Sequence, residues 1–116
     1  MARVLVIAEQ PMARRLSWVL EQAGHSVRVA GDAQSGMRYA EADQPAVIVI
    51  NGVVPVEELD RFIQRLTEGS PVSRVLEVAR PVGAVSTPVR ASGHLTQPFD
   101  AEDLLQEIDR LSQAAG

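Results

Sequence analysis

The chain has 116 residues with a formal net charge of −4, and it is 46% hydrophobic but only 3% aromatic. All eleven of its basic side chains are arginines, and it has no cysteine, which excludes lysine Schiff bases, P-loop lysines, thiol nucleophiles, disulfides and cysteine-ligated metals. The acidic balance and scarce aromatics argue against nucleic-acid binding. No apolar run is long enough for a signal peptide or membrane span. We therefore expect one cytoplasmic domain over residues 1–116.

The first quarter of the chain predicts a strand, a helix and a second strand. Val4–Ala8 is a short apolar run rich in β-branched residues, which is typical of a buried strand. Apolar residues recur at helical spacing along Met12–Ala23, and Gly24 predicts the end of that helix. The alternation in His25–Ala30 predicts the second strand.

The next segment predicts a helix followed by the central strand. Asp32 is a favoured N-cap for a helix over Ala33–Ala42. Ala46–Ile50 is the most apolar run of the chain, and it ends at the Asn51–Gly52 pair, which indicates a turn.

The second half predicts one more strand–helix alternation and an irregular connection. A helix is expected over Val56–Thr67, and a fourth strand over Arg74–Ala79. Arg80–Arg90 contains two prolines and a glycine, so a helix there should be irregular or shortened. His94–Thr96 is a short fifth strand.

Asp100 should cap the last helix, with Asp103 in the capping-box position. The apolar residues of this helix that we expect to face the core are Leu104, Leu105, Ile108 and Leu111. The tail Ser112–Gly116 should be frayed. Alternating strands and helices predict a doubly wound parallel sheet, whose ligand site lies beyond the carboxyl ends of the strands.

Three segments in this order resemble the receiver domains of bacterial response regulators. Val4–Pro11 is similar to their opening strand, Pro45–Pro55 to their phospho-acceptor strand and loop, and Gly93–Asp100 to their last strand and Lys-Pro turn. The resemblance covers nearly the whole chain. It implies an α/β flavodoxin-like fold with a five-stranded sheet of order 2-1-3-4-5, and it implies that the Gln97–Pro98 bond is cis.

The resemblance also implies which positions form the phosphorylation site, and most of them differ from the family pattern. The family's two magnesium-binding acids match Ala8 and Glu9, its phosphorylated aspartate matches Asn51, its Ser or Thr matches Val78, and its lysine matches Gln97. An aspartyl phosphate needs a carboxylate nucleophile, and Mg²⁺ prefers carboxylate oxygens. We therefore expect a neutral, degenerate site without catalytic residues, metal or cofactor.

Asn51 also has a simpler interpretation, because asparagine is favoured where a strand ends in a turn, and we prefer it to a catalytic role. A further hypothesis is that the Asn51–Gly52 pair deamidates and partly restores an acceptor carboxylate. His25 and His94 each lack a partner at metal-ligand spacing, so we interpret both as surface or strand-edge residues.

The function implied by the resemblance is two-component-type signal transduction, here as a phosphorylation-independent pseudo-receiver that binds a protein partner or a second copy of itself. Family analogy places the interaction face around residues 82–97 and 100–111, including Val82, Val85, Val89, Leu95 and Leu104. Trp18 is either a helix-packing aromatic or an interface anchor. Two alternatives stay open: a divergent receiver that is still phosphorylated and uses Glu9 or another acid, and a small-ligand sensor that uses the neutral pocket.

Overall fold

The computed structural model describes residues 2–79 and 90–114, and in them five strands form one parallel sheet of order β2-β1-β3-β4-β5. The strands are β1 Arg3–Ala8, β2 Ser26–Ala30, β3 Val47–Asn51, β4 Arg74–Ala79 and β5 Gly93–Thr96. The helices are α1 Met12–Gln22, α2 Ala33–Asp43, α3 Leu59–Gly69 and α4 Ala101–Ala114. The predicted doubly wound, flavodoxin-like sheet and its strand order are confirmed.

Alternating side chains of the central strands build a separate apolar layer on each face of the sheet. On one face, Val6 of β1 and Val49 of β3 pack among residues of α1 and α4. On the other face, Ile7 and Ile50 pack among residues of α2 and α3. Because β1 and β3 are covered on both faces, their buried stretches Val4–Ala8 and Val47–Ile50 are apolar throughout, as expected for buried parallel strands.

The helix ends follow the polar signals in the sequence. The Asp32 carboxylate accepts a hydrogen bond from the Ser35 backbone N–H at 2.7 Å, which confirms it as the N-cap of α2. Asp100 and Asp103 exchange hydrogen bonds between side chain and backbone at 2.9 and 3.3 Å, which is the predicted capping box of α4. Gly24 follows α1 with a φ of 93°, a conformation that favours glycine.

Three local expectations are wrong. The helix predicted along Met12–Ala23 ends at Gln22, and Ala23 is its exposed C-cap residue. The third helix begins as a 3-10 turn, Val56–Glu58, before α3 proper. The last helix continues to Ala114, because the buried Leu111 anchors its final turns to the sheet. The predicted irregular segment after β4 lies outside the described residues from position 80 to 89.

The amino edge of the sheet, where the strands begin, is tied by polar contacts. Ser73 precedes β4, and its hydroxyl donates to the Pro45 carbonyl while it is paired with the Ser70 hydroxyl at 2.6 Å. The Gln44 side chain bridges α2 to α3 by donating to the Gly69 carbonyl at 2.9 Å. In the described parts of the chain, no helix is long and apolar enough to cross a membrane.

Candidate functional site at the carboxyl edge of the sheet

The carboxyl edge of the sheet brings three of the predicted site positions together. Ala8 ends β1 and is paired in register with Asn51, which ends β3. Val78 lies near the end of the next strand, β4. Strand alternation places all three on the face covered by α1 and α4, where Ala8 and Val78 are buried in the apolar layer.

Asn51 is held in place by a backbone group of the neighbouring strand. Its Nδ2 donates a hydrogen bond to the Val78 carbonyl oxygen at 2.9 Å. The side chain is half-buried, and Gly52 directly after it has a φ of 69°, which accommodates the turn. The amide thus acts as a donor that ties β3 to β4, a role that a carboxylate could not fill while ionised.

Glu9 and Gln97 lie at the two sides of this edge. Glu9 is exposed in the loop after β1, and its backbone carbonyl accepts the first hydrogen bond of α1 from the Ala13 N–H at 3.0 Å. Gln97 follows β5, is half-buried, and donates its backbone N–H to the Ala79 carbonyl at 3.1 Å. The predicted cis bond at Gln97–Pro98 is confirmed, and a second cis bond at Gln10–Pro11 was not predicted.

One charged side chain at this edge has a structural use. Asp32, beyond the end of β2, has its pKa lowered by the hydrogen bond from the Ser35 N–H, because that bond stabilises the ionised carboxylate. Among the described residues, no cluster of three or more histidine, cysteine or acidic side chains could hold a metal ion. Of the predicted site positions, Glu9, Asn51 and Gln97 carry side-chain oxygens and Glu9 alone is a carboxylate, which is a small set for a hard cation.

The predicted interaction face needs one correction. Leu104 is only 1% exposed and packs in the apolar layer between α4 and the sheet, so its side chain is not available to a partner. Its position on the inner stripe of α4 explains this burial. Leu95 is half-buried, and Val82, Val85 and Val89 lie outside the described residues.

Helix α1 carries two separate surface features, an exposed tryptophan and one wall of a groove. Trp18 on α1 is 62% exposed, so it is not a helix-packing aromatic. On the same helix, Met12 and Val19 line a groove of about 520 Å³ that runs to the loop before α4, where Gln97 and Phe99 form the opposite wall. We call this the α1–α4 groove. It joins residues about 80 positions apart in sequence, so only the fold brings them together.

Comparisons with known proteins agree with this geometry. No protein-family model matches the chain. It is 28% identical to the DNA-binding dual master transcriptional regulator RpaA of Synechocystis sp., covering 99% of this chain and 54% of RpaA. It is also 28% identical to protein PilH of Pseudomonas aeruginosa, covering 94% of this chain and 96% of PilH.

Among solved structures, the chain is similar to the beryllofluoride-activated NtrC4 receiver domain dimer, with a TM-score of 0.83, 28% identity and 98% of each chain covered. By fold the chain is similar to a CheY-like receiver domain, and by sequence it is similar to the NtrC4 receiver domain. The chain spans about half the length of RpaA and nearly all of PilH.

Proposed function

We propose that this chain is a pseudo-receiver, a two-component-type module that binds protein partners without being phosphorylated. One observation carries the proposal. At the position matching the phosphorylated aspartate, the Asn51 amide donates to the Val78 carbonyl, beside the buried alanine that matches a metal-binding acid. An amide in this role is not a nucleophile for phosphoryl transfer, and it draws no divalent cation.

The neutral site also removes the need for an ion. Carboxylates packed at one strand edge repel each other unless a cation or proton compensates their charge. With Ala8, Asn51 and Gln97 at these positions, Glu9 is the one acid left, and it is exposed. The proposed module therefore keeps one conformation whether or not Mg²⁺ and a phosphodonor are present. Its cytoplasmic location is part of this proposal.

The decisive experiment is a thermal unfolding scan of the chain with Mg²⁺ alone and with Mg²⁺ plus beryllofluoride. We expect no change in Tm, because a ligand stabilises a fold only by binding it; at 100 times its Kd the gain is about 2.7 kcal/mol. The matched control is the triple variant Ala8→Asp, Asn51→Asp, Gln97→Lys, which restores two carboxylates and the lysine of the family pattern. It should gain a beryllofluoride-dependent rise in Tm.

Stabilisation of the wild-type chain by beryllofluoride would overturn the proposal in favour of a divergent receiver that is still phosphorylated. Incubation with acetyl phosphate followed by mass spectrometry gives an independent reading. A phosphoryl adduct on the wild-type chain would contradict the proposal, whereas an adduct on the triple variant alone would support it.

Self-association is the form of protein binding that can be tested with this chain alone, without an identified partner. Trp18 is the candidate anchor, since exposed tryptophans are enriched in the energetic centres of interfaces and this one is 62% exposed. Sedimentation over a range of concentrations should show a dimer that Trp18→Ser weakens. Val56→Ser, at a residue equally exposed on another surface, is the matched control and should leave the association unchanged.

A further inference from the structure

A second concave site lies between α2 and α3, on the face of the sheet opposite to the candidate site. It has a volume of about 360 Å³. Its apolar lining comes from Met37 of α2, Val54 of the loop after β3, and Phe62 of α3. Phe62 is 7% exposed, whereas Met37 and Val54 are half-buried, so the apolar surface is open to a ligand from the solvent side. We call this site the α2–α3 pocket.

Two guanidinium groups border this apolar surface. Arg61 and Arg65 of α3 line the pocket and are exposed. Within the described ranges, 2–79 and 90–114, neither arginine side chain forms a hydrogen bond or ion pair. Residues four apart lie on the same side of a helix, so their like charges destabilise it. An anion between them would relieve that repulsion.

The remaining charge at the pocket sets the charge of the ligand. Glu58 also lines it, and two guanidiniums with one carboxylate leave a net charge of +1. This balance fits one negative group rather than several. A carboxylate also matches the planar donor geometry of a guanidinium.

We propose that the α2–α3 pocket binds a small amphipathic monoanion, with its carboxylate at Arg61 and Arg65 and its apolar body on Met37, Val54 and Phe62. The volume lies at the lower end of the range for small-molecule sites, roughly 300–1,000 Å³, and is small for a docked helix or domain. This site is separate from the strand-end positions, so the inference does not depend on the phosphorylation state of the chain.

The test uses 2-naphthoate as the probe and 2-naphthamide as its neutral counterpart of nearly the same shape. Each is titrated into the ¹⁵N-labelled chain while backbone amide shifts are recorded. We expect saturable shifts from 2-naphthoate at amides of the α2–α3 pocket, and roughly tenfold weaker binding of 2-naphthamide, the size expected for two exposed ion pairs.

The Arg61→Gln, Arg65→Gln double variant should weaken 2-naphthoate binding by the same factor and leave 2-naphthamide binding unchanged. The matched control is Arg14→Gln, Arg15→Gln, which removes the same charge from exposed positions of α1, one of them in the α1–α4 groove. It should bind 2-naphthoate as the wild type does.

Four results would overturn the proposal. The first is equal affinity for both probes, which would mean that charge is not recognised. The second is a set of shifts centred on the α1–α4 groove, and the third is equal weakening of 2-naphthoate binding by both double variants. The fourth is tighter binding of a short amphipathic peptide of leucine and glutamate than of 2-naphthoate at the same amides, which would assign the pocket to a protein partner.

Discussion

The two edges of the sheet differ in how their polar side chains connect separate segments of the chain. At the amino edge, the Ser73 hydroxyl, the Gln44 amide and the Arg3 guanidinium each bond to a backbone carbonyl of a separate segment, namely Pro45, Gly69 and Asp43. At the carboxyl edge, the Asn51 amide makes one such bond, to the Val78 carbonyl. Among the described residues, which omit 80–89 after β4, these three contacts join segments at the amino edge and the Asn51 contact joins two strands at the carboxyl edge.

This difference distinguishes the side chains that stabilise the fold from the side chains that can be replaced without disturbing it. The contacts at the amino edge join helix ends and strand starts to one another, so their loss loosens the framework. The carboxyl edge of a parallel sheet carries function in folds of this kind, and its side chains can be replaced while the strands stay paired. Here, apolar and amide side chains occupy the predicted site positions Ala8, Asn51 and Val78, and the sheet register is intact.

The largest expected effect is at the amino edge. Ser73→Ala removes a buried hydroxyl that donates to the Pro45 carbonyl and is paired with Ser70. Because it leaves buried polar groups without partners, we expect the free energy of unfolding to fall by about 1–3 kcal/mol. Urea denaturation of the variant and the wild type measures this change in the free energy of unfolding.

The control for this prediction is Ser17→Ala. The Ser17 hydroxyl donates to Glu21 at 3.3 Å on the exposed side of α1, and its loss should change the free energy of unfolding by less than about 0.5 kcal/mol. Equal effects at both serines would contradict the importance given to the amino edge.

A smaller effect is expected from Asn51→Asp at the carboxyl edge. An ionised carboxylate would face the Val78 carbonyl oxygen without a proton to donate, so we expect a loss of about 1–2 kcal/mol at neutral pH. Protonation restores a donor, so the pKa of the new carboxyl in the folded state should lie above its unfolded value. The variant is then most stable at low pH and loses stability as the pH rises through that raised pKa.

Asn51→Ala is the matched control for this pH dependence. It loses the same hydrogen bond but has no titrating group, so the stability of Asn51→Asp relative to Asn51→Ala should fall from about pH 4 to about pH 7. A constant difference would mean that the carboxylate turns away from Val78. The deamidation of Asn51 stays a prediction, and its aspartate product should show the same loss.

The sequence predicts the framework well because its signals are local. The apolar run before Asn51 and the caps at Asp32 and Asp100 depend only on residues that are neighbours in the sequence, and the structure confirms them. The partner of Asn51 could not be predicted, because it is a backbone carbonyl on another strand and any residue type supplies one. The α2–α3 pocket could not be predicted either, since it depends on how two helices lie across the sheet.

The smallest expected effect concerns Asp32, an acid beyond the carboxyl end of β2 whose role is structural. Its carboxylate accepts from the Ser35 N–H, and that bond lowers its pKa. Asp32→Ala should lower Tm, whereas Asp32→Asn, which keeps a capping oxygen, should retain most of the wild-type Tm.

Because the folded-state pKa of Asp32 is lowered, the charge-dependent contribution of Asp32 to stability is present at neutral pH and is lost as the pH falls through that pKa, below about 3.9. The wild type should therefore lose stability relative to Asp32→Asn on acidification, whereas Asn51→Asp should gain it relative to Asn51→Ala. Thermal unfolding of the four variants and the wild type from acid to neutral pH tests both signs. The same sign for both aspartates would mean that net charge, and not the local hydrogen bond of each carboxyl, controls the stability of this edge.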